Sequence, residues 1–188
     1  MAVVDLPTPR FSLISGPAGS GKSRWAEHLA RSSGLEVIYL ATGPCLHDDP
    51  SWQERLRKHR ERRPPQWQLR EVGGDLAPSL AGLVAGQIAL VDSLGTWVAA
   101  HLEDDQTAWI RRCLGLIESL RLGQGHLLIV AEECGWGVVP ATAVGGRFRE
   151  RLAALQQQLA AEADVSWLVI QGRALDLTRL SLPVPGTP

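Results

Sequence analysis

The sequence is short of tyrosine, phenylalanine and methionine, with one, two and one in 188 residues, and it has only three cysteines. Three is an odd number, and Cys45, Cys113 and Cys134 form no C-x-x-C pair. That pattern gives no disulfide framework and predicts reduced, buried thiols in a cytoplasmic protein. Net charge is scarce too, at −1, which argues against a general nucleic-acid binder. No apolar run approaches the roughly 20 residues of a membrane span. The N-terminus lacks a cationic and apolar signal segment. Seven tryptophans are the one aromatic excess, and they read as packing residues.

What is present is an alternation of apolar runs and helix-like stretches. Strand candidates are 11–15, 36–41, 87–92, 126–131 and 165–170. Most are continuous apolar runs, as expected for strands buried on both faces of a parallel sheet. Helix candidates are 22–32, 51–62, 75–85, 95–102, 106–122 and 145–163. The alternation predicts one α/β domain over 11–175, with a mostly parallel sheet flanked by helices. Residues 1–10 read as a loose leader and 176–188 as a tail rich in proline.

Between the first strand and the first helix lies Gly16-Pro17-Ala18-Gly19-Ser20-Gly21-Lys22-Ser23. This is G-x-x-x-x-G-K-[ST], the phosphate-cradling loop of RecA-like and other P-loop NTPases. Gly16 and Gly21 allow the backbone to curl so that its N–H groups face phosphate oxygens. Lys22 reaches the β- and γ-phosphates, and Ser23 offers its hydroxyl to Mg²⁺. Ile-Ala-Leu-Val-Asp92 is an apolar run closed by an acid, the pattern of a second metal-holding carboxylate. A strand-terminal Asp can equally cap a helix, but an upstream P-loop favours the metal role.

Residues 54–63 read Glu-Arg-Leu-Arg-Lys-His-Arg-Glu-Arg-Arg, stopped by Pro64 and Pro65. Composition alone makes this a solvated charged helix. Its functional reading is a phosphate-receiving face on which His59 is mostly neutral, because the flanking cations disfavour its protonated form.

Several separated segments resemble one family, the bifunctional adenosylcobinamide kinase/adenosylcobinamide-phosphate guanylyltransferase. Residues 15–27 are similar to T-G-G-A-R-S-G-K-S-R-x-A-E, and 37–42 to V-L-Y-I-A-T. The run from Arg55 through His59 and Arg63-Pro64 to Trp67 resembles R-I-x-x-H-[KR]-x-x-R-P-x-x-W. Residues 133–140 resemble E-V-G-x-G-I-V-P, 147–150 resemble R-F-R-D, and 167–172 resemble W-L-V-V-x-G. The resemblance implies phosphorylation of adenosylcobinamide, then transfer of GMP from GTP to the phosphate through a guanylyl-histidine, here His59. It implies ATP and GTP as substrates with Mg²⁺, a corrinoid acceptor and a symmetric homo-oligomer, a trimer by analogy. By position it implies nucleotide contacts at 16–23, Ala41, Thr42, Gly43, Arg60, Glu61, Arg62, Arg63, Glu71 and Asp92. Lys22, His59 and Asp92 are the expected catalytic groups, with Ser23 and Asp92 on the metal. Glu133, Gly135 and Trp136 follow the fourth strand candidate, where an acceptor would sit, and Arg147 and Arg149 are phosphate-clamp candidates.

The chain departs from the family pattern at Gly19, Gly95, Ala100, Glu132 and Gln156-Gln157, where the pattern has Arg, Thr, Asn, Asn and Asn-Gln. These departures fall mainly on the acceptor side and raise the expectation of a weakened kinase step. The rival readings are another P-loop small-molecule kinase and a RecA-like ATPase driving a macromolecular partner.

Overall fold

Apolar runs without alternation become strands covered on both sides. The computed structural model describes residues 8–44, 54, 57 and 60–185. In chain order the elements are β1 (Phe11–Gly16), α1 (Lys22–Ser32), β2 (Glu36–Ala41), β3 (Gln68–Glu71), α2 (Leu76–Ala81), β4 (Gln87–Asp92), α3 (Leu94–Ala100), α4 (Gln106–Leu122), β5 (His126–Glu132), α5 (Ala143–Glu162), β6 (Val165–Ile170), β7 (Arg173–Asp176) and α6 (Leu177–Leu180). Glu54, Arg57 and residues 60–62 are helical as well. The strands form one sheet in the order β3-β2-β4-β5-β1-β6-β7. All pairings are parallel except β6 with β7.

The central strands β1, β2, β4 and β5 each feed two cores because successive side chains point to opposite faces. Leu13, Ile38, Leu40, Ala89, Val91, Leu127 and Ile129 share one cluster with residues of α2 to α5. Ile14, Val37, Tyr39, Ile88, Leu90, Leu128 and Val130 share the other with Ala26 and Ala30 of α1. Small residues on the buried face of α1 let the helix lie close to the sheet, directly after the glycine-rich loop.

Register brings the carboxyl ends of the strands to one edge. Ala41 lies opposite Asp92 and Glu71, and Gly16 opposite Glu132. This is the edge at which open α/β sheets bind ligands. The fourth strand candidate extends one residue beyond its expected end, to Glu132.

Two differences from the sequence reading concern the chain ends. The stretch from 176 is not all tail. Gln171 (φ 50°) and Gly172 (φ 70°) form a two-residue turn of the left-handed kind that matches strand twist, so β7 folds back on β6. The Asp176 carboxylate then accepts from the Arg179 amide at 3.0 Å and starts α6. At the other end, Pro9 and Arg10 are tied down: the Leu127 amide donates to the Arg10 carbonyl at 2.7 Å, and the Arg10 guanidinium donates to the Gly123 carbonyl at 2.6 Å. The helix expected at 75–85 is only Leu76–Ala81, because Gly82 takes the C-cap and the chain turns towards β4.

Candidate functional site

The loop between β1 and α1 has its shape because glycine stands where other residues would not fit. Gly19 (φ 73°) and Gly21 (φ 100°) hold left-handed backbone. A Cβ on Gly16 would overlap the Val169 carbonyl and come within 2.8 Å of Ser20 Oγ. The loop is braced from both sides: the Glu133 amide donates to the Gly16 carbonyl at 2.9 Å, and the Gly172 amide to the Ser20 carbonyl at 3.3 Å. Pro17 is half-buried, and Ala18 and Gly19 are exposed at the tip. Lys22 Nζ lies 3.4 Å from the Pro17 carbonyl, so its ammonium is over the loop. Ser20 Oγ is buried with no hydrogen-bond partner among the described residues, an orphan polar atom within the cradle. Ser23 follows in the first turn of α1.

Asp92 ends β4 at the same edge. The Tyr39 hydroxyl donates to Asp92 Oδ2 at 2.9 Å. Burial, and then the Asp92 charge, push the Tyr39 phenol far above the ordinary tyrosine range, so it remains a proton donor. The Asp92–Ser93 peptide is cis. Buried Thr42 braces the turn after Asp92: its Oγ1 lies 2.6 Å from the Ser93 carbonyl oxygen and accepts from the Ser93 amide at 2.9 Å. Thr96 Oγ1 is 2.6 Å from Thr42 Oγ1. Ala41 and Gly43 flank this hydroxyl, both half-buried. Hydroxyl and carboxylate oxygens from Ser23 and Asp92 are the donors a hard cation such as Mg²⁺ takes. No group of three or more His, Cys, Asp or Glu gathers among the described residues.

His59 lies outside the described residues, as does Cys45. The residues that follow His59 are brought to the site. Arg62 pairs with Glu27 of α1 at 3.2 Å, and the Arg62 carbonyl accepts from Arg31 at 2.7 Å. Glu27 is 4% exposed. The Arg63 guanidinium lies 5.2 Å from the Tyr39 ring centroid, a cation–π contact. Arg60 and Glu61 are exposed, and Glu61 pairs with Arg57. Glu71 sits exposed at the end of edge strand β3, beside Ala41 in register.

The loop after β5 is held by a carboxylate of its own. Glu133 Oε1 accepts from the Gly135 amide at 2.7 Å, and a Cβ on Gly135 would come within 2.9 Å of that oxygen. Gly135 therefore makes room for a carboxylate of its own chain. A Cβ on Gly137 would meet open space. Trp136 is 58% exposed and available to a flat ligand. The Arg147 guanidinium donates to the Leu102 carbonyl at 3.1 Å. Burial raises the Cys113 thiol to about 11 and, followed by Glu132 and Glu133, raises Cys134, so neither is poised to react.

Sequence reasoning missed Tyr39, Glu27, Ser93, Thr96 and Glu132. Tyr39 had a signal, since a lone tyrosine inside an apolar strand must find a partner for its hydroxyl. Glu132 had one too, as a second acid closing an apolar run. Glu27 had one as the last residue of the 15–27 match, and Thr96 one as a hydroxyl three residues after Ser93, but their partners Arg62 and Thr42 are remote in sequence.

A family model described as CobU, cobinamide kinase / cobinamide phosphate guanyltransferase, matches residues 12–177. A bifunctional adenosylcobalamin biosynthesis protein, CobP of Pseudomonas aeruginosa, is 35% identical over 178 residues, covering 94% of this chain and 98% of that protein. The bifunctional protein CobU of Salmonella typhimurium is 32% identical, covering 85% of this chain and 95% of its own. Among solved structures, a prototypical ATPase from the type III secretion system of pathogenic bacteria superposes with a TM-score of 0.53 at 10% identity, over 94% of this chain and 59% of that one. A protein from Pyrococcus horikoshii OT3 gives 0.52 at 9% identity, over 90% and 86%. These two likenesses show the fold, a mostly parallel sheet flanked by helices.

Proposed function

Because the chain belongs to the cobinamide kinase / cobinamide phosphate guanyltransferase family, we propose that one nucleotide cradle at the carboxyl edge of its sheet runs both reactions, with His59 as the covalent carrier of GMP. The chain is a nucleotide-dependent transferase of cobalamin biosynthesis, with cobinamide and nucleoside triphosphates as its small-molecule substrates. Family membership across 12–177 sets aside the rival kinase and motor-ATPase readings.

One observation carries the proposal: the arginines directly after His59 are fastened to the nucleotide machinery. Arg62 is held by Glu27 on the helix that begins with Lys22, and Arg63 stacks on the tyrosine that holds Asp92. In the first reaction the 16–23 loop and Lys22 hold the triphosphate of ATP or GTP, and the cobinamide hydroxyl oxygen attacks the γ-phosphorus. The P–O bond to the β-phosphate breaks and the nucleoside diphosphate leaves. In the second, a neutral His59 ring nitrogen attacks the α-phosphorus of GTP and pyrophosphate leaves. An oxygen of cobinamide phosphate then displaces the imidazole, giving the GDP-linked product. Arg60, Arg62 and Arg63 offset charge on the nucleotide under attack. Ser23 and Asp92 would hold Mg²⁺, which would supply charge neutralisation to the phosphates. Thr42, Ala41 and Gly43 border the cradle, and Glu71 is the candidate for guanine N–H groups or ribose hydroxyls. Trp136, with Glu133 and Gly135, offers a wall for the corrinoid. We further propose that it works in the cytoplasm as a symmetric homo-oligomer, expected as a trimer, with Val138 and Val139 as apolar surface, 93% and 75% exposed.

The test is incubation with GTP labelled at the α-phosphate. Acid-labile, alkali-stable label on the wild type, absent from His59→Ala and chased off by cobinamide phosphate, is the expected result. Equal labelling of both proteins, or of neither, defeats the histidine carrier.

A further inference from the structure

Three of the positions at which the chain departs from the family pattern meet at the carboxyl end of β5. The Ser93 hydroxyl donates to Glu132 Oε1, and the Gly95 amide donates to Glu132 Oε2 at 2.9 Å. Gln156 donates from Nε2 to the Glu132 carbonyl at 2.9 Å. A Cβ on Gly95 would land on Glu132 Oε2, far inside van der Waals contact. Every atom it would meet is at the end of the Glu132 side chain, which swings clear only by giving up its bonds to Ser93 and Gly95.

We propose that Glu132 is a positioning residue for Asp92, and that Gly95 is the space its carboxylate requires. The inference rests on the reading of Asp92 as the metal-side acid. Glu132 does not act on substrate. Its two oxygens hold the side chain of Ser93, covalently next to Asp92, and the first turn of the helix beyond it. Thr42 holds the same turn from the β2 side. The backbone that aims Asp92 is thus clamped between two strands, β2 and β5. Replacing a β-hydroxyl residue by Gly95 removes a side chain from this turn, and Glu132 supplies the polar anchor from the neighbouring strand. Gly95 and Glu132 are thus one unit, because a side chain at 95 and this carboxylate would compete for the same space.

A four-member cycle tests the coupling: wild type, Gly95→Ala, Glu132→Ala and the double variant. Alanine suits a helical position better than glycine. Gly95→Ala alone nevertheless collides with the carboxylate and is expected to lower Tm by about 5 °C. In the Glu132→Ala background the same change meets no carboxylate and is expected to leave Tm unchanged or raise it. Equal Tm losses in both backgrounds overturn the pairing. Glu132→Gln tests the positioning role, since it keeps the volume and removes one of two acceptor oxygens. Its Tm is expected to stay within about 3 °C of wild type. The Mg²⁺ concentration that half-saturates binding of a fluorescent GTP analogue is expected to rise about tenfold, with Mg²⁺-free binding unchanged. An unchanged Mg²⁺ midpoint overturns the positioning role. Lys22→Ala separates the two failures: analogue binding as tight as wild type would sink the nucleotide-site reading, whereas the Tm cycle would still decide the Gly95–Glu132 pair.

Discussion

Tyr39 shows how one residue type in the wrong surroundings can report a site. Its ring belongs to the core between α1 and the sheet, while its hydroxyl must be satisfied at the polar edge. The hydroxyl does so by donating to Asp92, 53 positions further along the chain. A carboxylate that binds a cation is oriented by such partners, and losing one typically costs 10- to 100-fold in metal affinity. Tyr39→Phe keeps the ring that Arg63 covers and deletes only the donor. We expect it to weaken Mg²⁺-dependent nucleotide binding by about tenfold, with Mg²⁺-free binding retained, as read by titrating a fluorescent nucleotide with and without EDTA. Equal loss in both conditions would mean that the hydrogen bond supports nucleotide binding without acting through the metal. At this scale the P-loop was fully legible, because its chemistry is written in consecutive residues. The Tyr39–Asp92 and Ser93–Glu132 contacts were not, because each joins residues on different strands and depends on a register that no local pattern states.

The contact between α1 and the arginine segment belongs to the scale of elements. Glu27 points from the buried side of α1 to Arg62, whose side chain is 31% exposed against 5% for Glu27. The asymmetry sets the outcome of breaking the pair. Glu27→Ala leaves a guanidinium that can turn towards water, at a cost of about 1 kcal/mol. Arg62→Ala leaves a buried carboxylate without this cation, and about 3 kcal/mol is expected. Urea unfolding of both variants reads the difference, and an equal or reversed order would show that Arg62 is not what satisfies Glu27. Both variants are expected to slow guanylylation more than phosphorylation, because the anchored segment continues from His59. Helix α1 and the four strands that end around it could be read from the sequence to within a residue, since continuous apolar runs and a P-loop fix where each begins and stops. The β6–β7 hairpin could not: Arg173 to Asp176 is short and amphipathic, and only the Gln171-Gly172 turn marks it. Edge strand β3 is not among the strand candidates of the sequence, because its four residues are mostly exposed and carry no apolar run.

At the scale of the whole molecule, two reactions are served by a sheet whose strand ends share one edge. The sequence contains a single GKS, and lysine occurs only at 22 and 58. Gly16, Ala41, Glu71, Asp92 and Glu132 close five adjacent strands, so the P-loop, the Asp92 turn and the acid-rich loop after β5 are neighbours by topology. The arginine segment joins them through Glu27 and Tyr39. We take the single cradle of this kind in the sequence to serve both steps. The two half-reactions should therefore fail together. Lys22→Ala is expected to reduce γ-phosphoryl transfer to cobinamide and α-labelled GMP transfer to the protein each by about 100-fold or more. A non-hydrolysable ATP analogue should compete in both assays with the same inhibition constant. Survival of the α-label in Lys22→Ala, or two inhibition constants, would mean that GTP for the second step docks elsewhere. In that case the arginines after His59, rather than the P-loop, would be its anchor. Shared failure would instead make the order of events a matter of exchange at one cradle: the diphosphate left by the first step must depart before GTP can present its α-phosphorus to His59. Excess ADP should then slow guanylylation of the protein even when cobinamide phosphate is supplied ready-made.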